Sequence, residues 1–401
     1  MPPRLRTKLA TWSIVLLSPV VMVLDRLIPK QPDLWVFGVG RPTQWHGNPQ
    51  AVYEAVRHRP DVRAVVVAGR VYPAALDPDH DMIVSGWRSL WRLLRAGVII
   101  VHHGKADIPF AGITCNRRLV VNLWHGIPLK GVLYTGWNDI KGQRARTLNA
   151  EVRFNSAFIA SSAVDRLAMA ASTRMPLRDV WVTGLPRNDW LLAPEDMLPP
   201  DVRRSLDRLR TELGGRRLVL YAPTFRDSGS GIYSFTDDER TALSRLLASH
   251  DAVLGVRTHL NENAVAQLAS EPWALDLKPS RYPETQAVLR STDVLISDYS
   301  SIWIDYLLLD RPIIGLTHDL ETYRAGRNLL YDIEDVYGGP LVGDGHGLVL
   351  ELEQALARRP SAESARRRAH ARGLFFTHLD AGSTARTVER ILQETEGARA
   401  S

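Results

Sequence analysis

With a single cysteine, Cys115, in 401 residues, the chain can form no internal disulfide and no cysteine-based metal site. A reducing compartment, by default the cytoplasm, is the expectation. A long apolar run is also missing. The charge-free stretch Trp12 to Leu24 is shorter than the roughly 18 to 20 residues a spanning helix needs, and Pro19 interrupts it. There is no Walker loop, no G-x-G-x-x-G fingerprint, no G-x-S-x-G elbow and no H-E-x-x-H, which removes the commonest nucleotide, hydrolase and metalloprotease readings. No compact basic tract or nucleic-acid-binding signature accompanies the net charge of +6. That charge therefore points to anionic small molecules or lipid surface, and nucleic acid is not expected as a partner.

What is present suits an ordinary folded protein, 45% hydrophobic and 23% charged, and long enough for two cores. Arg4, Arg6 and Lys8 precede the apolar N-terminal run, and Asp25, Arg26 and Lys30 follow it. An interfacial anchor on anionic headgroups is the favoured reading of residues 1–30. A helix packed on the protein, and a signal or true span, rank behind it, and no small-residue cleavage site follows the run.

Short β-branched runs then alternate with helical stretches: Leu34 to Phe37, Ala64 to Val67, Val98 to Val101, Leu119 to Leu123, Phe158 to Ala160 and Val180 to Val182. After a Pro-containing stretch, Ala193 to Pro200, a second series begins: Leu218 to Leu220, Ala252 to Val256, Asp293 to Ile296 and Pro312 to Leu316. The pattern predicts an α/β chain of two doubly wound, Rossmann-like domains facing a cleft. The expected divisions are a membrane-associating segment 1–30, an acceptor domain 31–200, a donor-binding domain 201–347 and a helical tail 348–401.

The unusual polar clusters begin where strand patterns end, which is where open parallel sheets bind ligands. They are Trp124 to Lys130, Tyr221 to Asp227, Arg257 to His259 and Ser297 to Ser301. Ser297, Ser300 and Ser301 precede an apolar helix, whose free N–H groups and dipole attract phosphate; plain N-capping is the ordinary alternative. Asp298 carries the wrong charge for that contact and is expected to order the loop or hold a sugar hydroxyl. Arg257 and His259, one residue apart on an extended strand end, would point the same way and clasp a diphosphate, or simply be a solvated pair. His125, beside the permissive Gly126, suits removal of a proton from an attacking alcohol, although a lone histidine next to a tryptophan is more often structural. His102 and His103 also end a strand pattern, with no adjacent chemistry to support them. Asp77, Asp79, His80 and Asp81 read as a solvated loop. No metal site or cofactor is expected, and a metal requirement is left open.

Taken in order, these motifs resemble the CDP-glycerol glycerophosphotransferase family, which builds teichoic acids and related envelope polymers. The resemblance is carried by Asn48-Pro49 with Tyr53-Glu54, by Trp124-His125-Gly126 with Pro128-Leu129-Lys130, and by Gly184 to Asp189. Tyr221 to Thr224 with Arg226, Arg257 with His259, and Ser297 to Ser301 followed by Asp305-Tyr306 and Arg311-Pro312 extend it. It implies a GT-B fold and work at the inner membrane surface, with a CDP-polyol donor and a lipid-linked or polymer acceptor. It further implies His125 as general base, His259 with Arg257 at the diphosphate, the serine segment on phosphate and Arg327 near the donor. Gly126, Thr224, Arg226, Asp298, Tyr299 and Arg311 would support them. Two positions depart from the family pattern: Ile127 replaces a threonine and Asn328 a glycine.

The expected reaction is attack of an acceptor hydroxyl on the phosphorus bearing the polyol, with cytidine monophosphate leaving. The alternatives are a nucleotide-sugar glycosyltransferase on the same fold and a non-catalytic nucleotide-binding protein of envelope assembly.

Overall fold

The computed structural model describes residues 18–39, 45–68, 82–84, 86–110, 112–224, 232–258, 268–326, 328–359 and 361–400. Seven strands form the first sheet: β1 (Gln31–Val39), β2 (Arg63–Ala68), β3 (Met82–Val84), β4 (Ala96–Val101), β5 (Leu119–Asn122), β6 (Ala157–Ala160) and β7 (Val180–Val182). Their spatial order is β3-β2-β1-β4-β5-β6-β7. Six strands form the second: β8 (Arg217–Ala222), β9 (Ala252–Val256), β10 (Ala274–Asp276), β11 (Val294–Ser297), β12 (Ile313–Leu316) and β13 (Leu341–Val342). Their order is β10-β9-β8-β11-β12-β13.

Every neighbouring pair is parallel, so helices must cross over each face, and the central strands are buried on both sides. That double burial is why the strands read as unbroken apolar runs such as Val98-Ile99-Ile100-Val101. The strand order reverses between β1 and β4 in the first sheet and between β8 and β11 in the second. Crevices open beyond the carboxyl ends at such reversals.

The helix Pro200–Leu213 leads from the first unit to the second and packs on Thr285–Ser291, burying Val202, Leu206 and Leu209. Gly345–Leu356 lies against the second sheet. Ala362–Phe375 contacts elements of both units, and Ser383–Ala400 returns to pack on the helix Asn48–Val56 of the first. Asp189 anchors this last helix by accepting the backbone N–H groups of Ser383 (2.9 Å) and Thr384 (2.7 Å), two of the donors a helix start leaves unpaired. Among the described residues, no helix is long and apolar enough to cross a membrane.

Candidate active site

At the end of β5 the chain turns sharply, with Trp124 at φ 47° and Gly126 at φ 154°. A positive φ at tryptophan is uncommon and must be held by its surroundings. The side chain of Asn122 accepts the Trp124 N–H (2.9 Å), and the Asn48 amide donates to the carbonyls of Leu123 and Trp124 (2.9 Å each). Asn48 also accepts the backbone N–H of Arg187 at 3.0 Å. One buried asparagine thus ties the start of a helix, the histidine turn and the Gly-Pro-Arg turn together.

Arg187 in turn donates to the His125 carbonyl (2.7 Å) and to Asp305 of the second unit (2.5 Å), whose other oxygen accepts from Asn188 (2.9 Å). A β-carbon added at Gly126 would stand 3.3 Å from Arg187 Nη2 and 3.3 Å from Ser301 Oγ. Glycine therefore lets the two units approach at this point. Beside it, Gly131 N–H donates to the Asn328 carbonyl (2.6 Å) and Leu330 N–H to the Leu129 carbonyl (2.9 Å), a short bridge across the cleft.

Between these contacts lies a cleft of about 200 Å³, lined by Trp124 to Lys130 and Val132 on one side and by Tyr299, Ser300 and Ser301 on the other. A larger cavity, about 630 Å³, opens at the amino ends of β1, β4 and β5 beside Lys30 and Arg118. Strand-end histidines, a helix start and the unit boundary coincide only in the smaller one, which makes it the candidate active site.

His125 opens on this cleft while protein surrounds the rest of its ring, so it is reachable by solvent without being well hydrated. Desolvation, then the neighbouring His103 and Arg187, hold its imidazole well below the ordinary histidine value, at about 4. It is neutral at pH 7, as a proton acceptor must be.

His102 and His103, which sequence reasoning set aside, meet it. The His103 and His125 rings stack at 4.9 Å and 18°, and the His102 ring stands 5.8 Å away, edge-on. Buried Asp107 accepts the N–H groups of both His102 and His103 at 2.7 Å and lies 3.8 Å from His103 Nδ1. Strand adjacency of β4 and β5, unknown before the topology, was the missing signal.

The nitrogens of these three histidines lie within 4.8 Å of one another, as do donor atoms of His46, Asp201 and Glu284. The first group stacks two rings face to face, whereas imidazoles sharing an ion present their edges, so one ring would have to turn to hold a metal. In the second, His46 Nδ1 pairs directly with Glu284 at 2.7 Å across the unit boundary.

Other expected residues sit as follows. Asp298 accepts the N–H of Thr224 (2.9 and 3.1 Å) and its hydroxyl (2.6 Å), closing the β8/β11 crevice as a loop-ordering group. Tyr299 stacks on Tyr323 at 3.9 Å and bonds Asp319, with Lys130 over the Tyr323 ring at 5.4 Å.

Three placements correct the sequence reading. Ser297 is fully buried and donates to the Ala222 carbonyl (2.7 Å), so its hydroxyl is tied to the sheet and only Ser300 and Ser301 face the cleft. Arg257 turns inward, donating to the carbonyls of Leu277 and Tyr282 (2.8 Å each) and to Thr285 (3.0 Å); burial pushes its guanidinium down to about 10. Arg311 precedes β12, at the end of the sheet away from the cleft, and bonds the carbonyls of Arg290 and Thr292. Of the departures from the family pattern, Ile127 is buried in the core, and Asn328 uses its amide to bond Asn138 (2.9 Å) across the cleft. Arg226, His259, Arg327 and the Asp77 to Asp81 cluster lie outside the described residues.

Two parallel, doubly wound units with a histidine on one lip of the cleft and a helix start on the other define a GT-B-type transferase. The chain belongs to the CDP-glycerol:poly(glycerophosphate) glycerophosphotransferase family, which it matches over residues 20–393. It is 27% identical to the teichoic acid ribitol-phosphate primase of Bacillus spizizenii, over 92% of this chain and 93% of that protein. It is 23% identical to the teichoic acid glycerol-phosphate transferase of Staphylococcus aureus, over 92% and 94%. Its match to the ribitol-phosphate polymerase TarK of S. aureus spans 58% of this chain and 45% of that longer protein. In structure it is similar to a variant of the wall teichoic acid polymerase TagF soaked with CDPG, at a TM-score of 0.76 and 20% identity over 98% of this chain and 97% of that one. Membership makes the chain an enzyme of polyol-phosphate transfer in teichoic acid synthesis.

Proposed function

We propose that the chain moves glycerol phosphate, or a related polyol phosphate, from CDP-glycerol to a hydroxyl of a lipid-linked or polymer acceptor, releasing cytidine monophosphate at the cytoplasmic face of the membrane. The observation that carries this reading is the neutral His125 imidazole facing Ser300 and Ser301 across one cleft.

In the proposed step, the acceptor oxygen forms a bond to the phosphorus bearing the polyol and gives its proton to His125. The bond from that phosphorus to the bridging oxygen breaks, and cytidine monophosphate leaves with the electron pair. Positioning and electrostatics supply the catalysis. Ser300, Ser301 and the N–H groups at the start of Ile302–Tyr306 favour the donor's negative charge. The roles of His259 and Arg327 at the diphosphate rest on the family resemblance. Arg257 would act by fixing the end of β9.

Calorimetric titration with CDP-glycerol, CDP-ribitol and a UDP-sugar tests donor class. The reading predicts binding of the cytidine donors only; preference for the UDP-sugar would replace it with glycosyl transfer.

A further inference from the structure

His46, Asp201 and Glu284 are far apart in the chain, yet they meet where the two units face each other, with donor atoms within 4.8 Å of one another. His46 precedes the helix Asn48–Val56 of the first unit, and Asp201 lies in the first turn of Pro200–Leu213, which leads across. Glu284 precedes Thr285–Ser291 of the second unit. No spacing in the sequence announces the group, because it is drawn from three separate segments.

A buried ion pair is the ordinary reading of His46 and Glu284, whose Nδ1 and Oε1 lie 2.7 Å apart. That reading leaves the neighbours unexplained. Gln50, 3% exposed, donates its amide nitrogen to Asp201 at 2.7 Å, which turns its carbonyl oxygen towards His46. That oxygen is buried without a hydrogen-bond partner, an arrangement folded proteins avoid. Glu284, 2% exposed, stands at the N-cap of its helix yet makes no capping bond, and reaches across the boundary instead. Capping does not account for it.

The spot is strongly negative. Two carboxylates face one imidazole, and among the described residues neither pairs with a lysine or arginine. Arg257, whose charge reaches Glu284, has its guanidinium engaged by the carbonyls of Leu277 and Tyr282 and by Thr285. Burial would lower His46, but the Glu284 hydrogen bond and charge, with Asp201, raise it, so the acids favour a positive charge here. The His46 side chain is 20% exposed and Asp201 is partly exposed, which leaves a way in from solvent.

One imidazole nitrogen, two carboxylates and an amide oxygen make a mixed nitrogen and oxygen donor set. Imidazole suits zinc and the transition metals, whereas magnesium and calcium take oxygen ligands. We propose that His46, Gln50, Asp201 and Glu284 bind a divalent transition-metal cation, Zn²⁺ or Mn²⁺, that joins the two units. To admit it, the 2.7 Å pair opens to the roughly 3.3 Å that separates two ligands of a tetrahedral ion. His46 lies just before Asn48, which holds the histidine turn, and Glu284 adjoins Thr285, which accepts from Arg257. An ion here would fix both lips of the cleft without touching substrate.

The proposal does not rest on the transferase reading, because its readouts are binding and unfolding. The untagged full chain, treated with EDTA and dialysed, is titrated calorimetrically with zinc, manganese and magnesium chloride in turn. Zn²⁺ or Mn²⁺ is expected to bind as a single ion per chain, and Mg²⁺ about tenfold more weakly or worse. The bound ion should raise the thermal unfolding midpoint. Asp201→Asn keeps an oxygen for Gln50 while removing a charged ligand. It and His46→Gln should each weaken the ion roughly tenfold or more and lose the thermal shift, whereas His103→Phe should bind as the wild type does. No binding by the wild type, or wild-type affinity in either of the first two variants, would overturn the proposal. So would a preference for Mg²⁺, or loss of binding in His103→Phe, which would place the ion on the cleft histidines.

Discussion

Arg187 and Asp305 pair at 2.5 Å across the boundary between the two units, Asp305 nearly fully buried and Arg187 also bonded to the carbonyl of His125. The same guanidinium therefore closes the cleft and positions the histidine turn. Asp305→Ala strands both Arg187 and Asn188, and breaking such a pair costs more than never having formed it. The variant should lose about 3–5 kcal/mol in urea unfolding and much of its turnover. Wild-type stability in this variant would show that the pair does not join the units.

The pH profile follows from the environment of His125. The base is active when neutral, and in the free enzyme its value lies near 4, so kcat/KM should hold level down to about that pH. Donor phosphates beside the ring would favour the imidazolium, so the acidic limb of kcat should lie at higher pH. His103→Phe keeps the stacked ring and removes one group that lowers the His125 value. Its kcat/KM limb should shift upward, towards but short of the ordinary histidine value, because desolvation remains the larger cause. Identical limbs in the two proteins would remove His103 from the account.

Arg257 is a scaffold here. Arg257→Gln removes a buried cation from two carbonyls and a hydroxyl, and should destabilise the chain by about 2–4 kcal/mol. A calorimetric or urea measurement showing no loss, combined with a large rise in donor KM, would restore the diphosphate-clasping role.

The His46–Glu284 pair adds a second pH dependence of opposite sign. Burial alone would lower His46, but the Glu284 hydrogen bond and charge, with Asp201, raise it. Its stabilisation is complete below the ordinary histidine value and fades as pH rises through the raised one. The gap in unfolding midpoint between wild type and His46→Gln should be wide at pH 6 and narrow at pH 9. A gap independent of pH would mean the pair is held without the proton. His125 works the other way: its lowered value costs stability as pH falls below the ordinary histidine range, where the unfolded chain binds the extra proton.

Much of this architecture was legible because central parallel strands are apolar on both faces. Three of the four edge strands, Met82–Val84, Ala274–Asp276 and Leu341–Val342, are only two or three residues long, too short for a run to stand out from its surroundings, and were not foreseen. The strand-end positions of His125 and Ser300 placed them at one cleft. Side-chain direction was not legible: Ser297 and Arg257 sit at strand ends yet turn into the protein, and Arg311 lies at the opposite end of its strand. Nor could spacing bring His103 onto His125, or Asp305 onto Arg187, since those contacts depend on strand order and on how the units meet.

The central claim is most directly tested by following cytidine monophosphate release from CDP-glycerol in the presence of membrane extract. The wild type should release it in an acceptor-dependent way, and His125→Ala should fall by about 10²- to 10⁴-fold while its thermal unfolding and donor affinity stay near those of the wild type. Full turnover by His125→Ala, or no release by the wild type from any cytidine donor, would contradict the account.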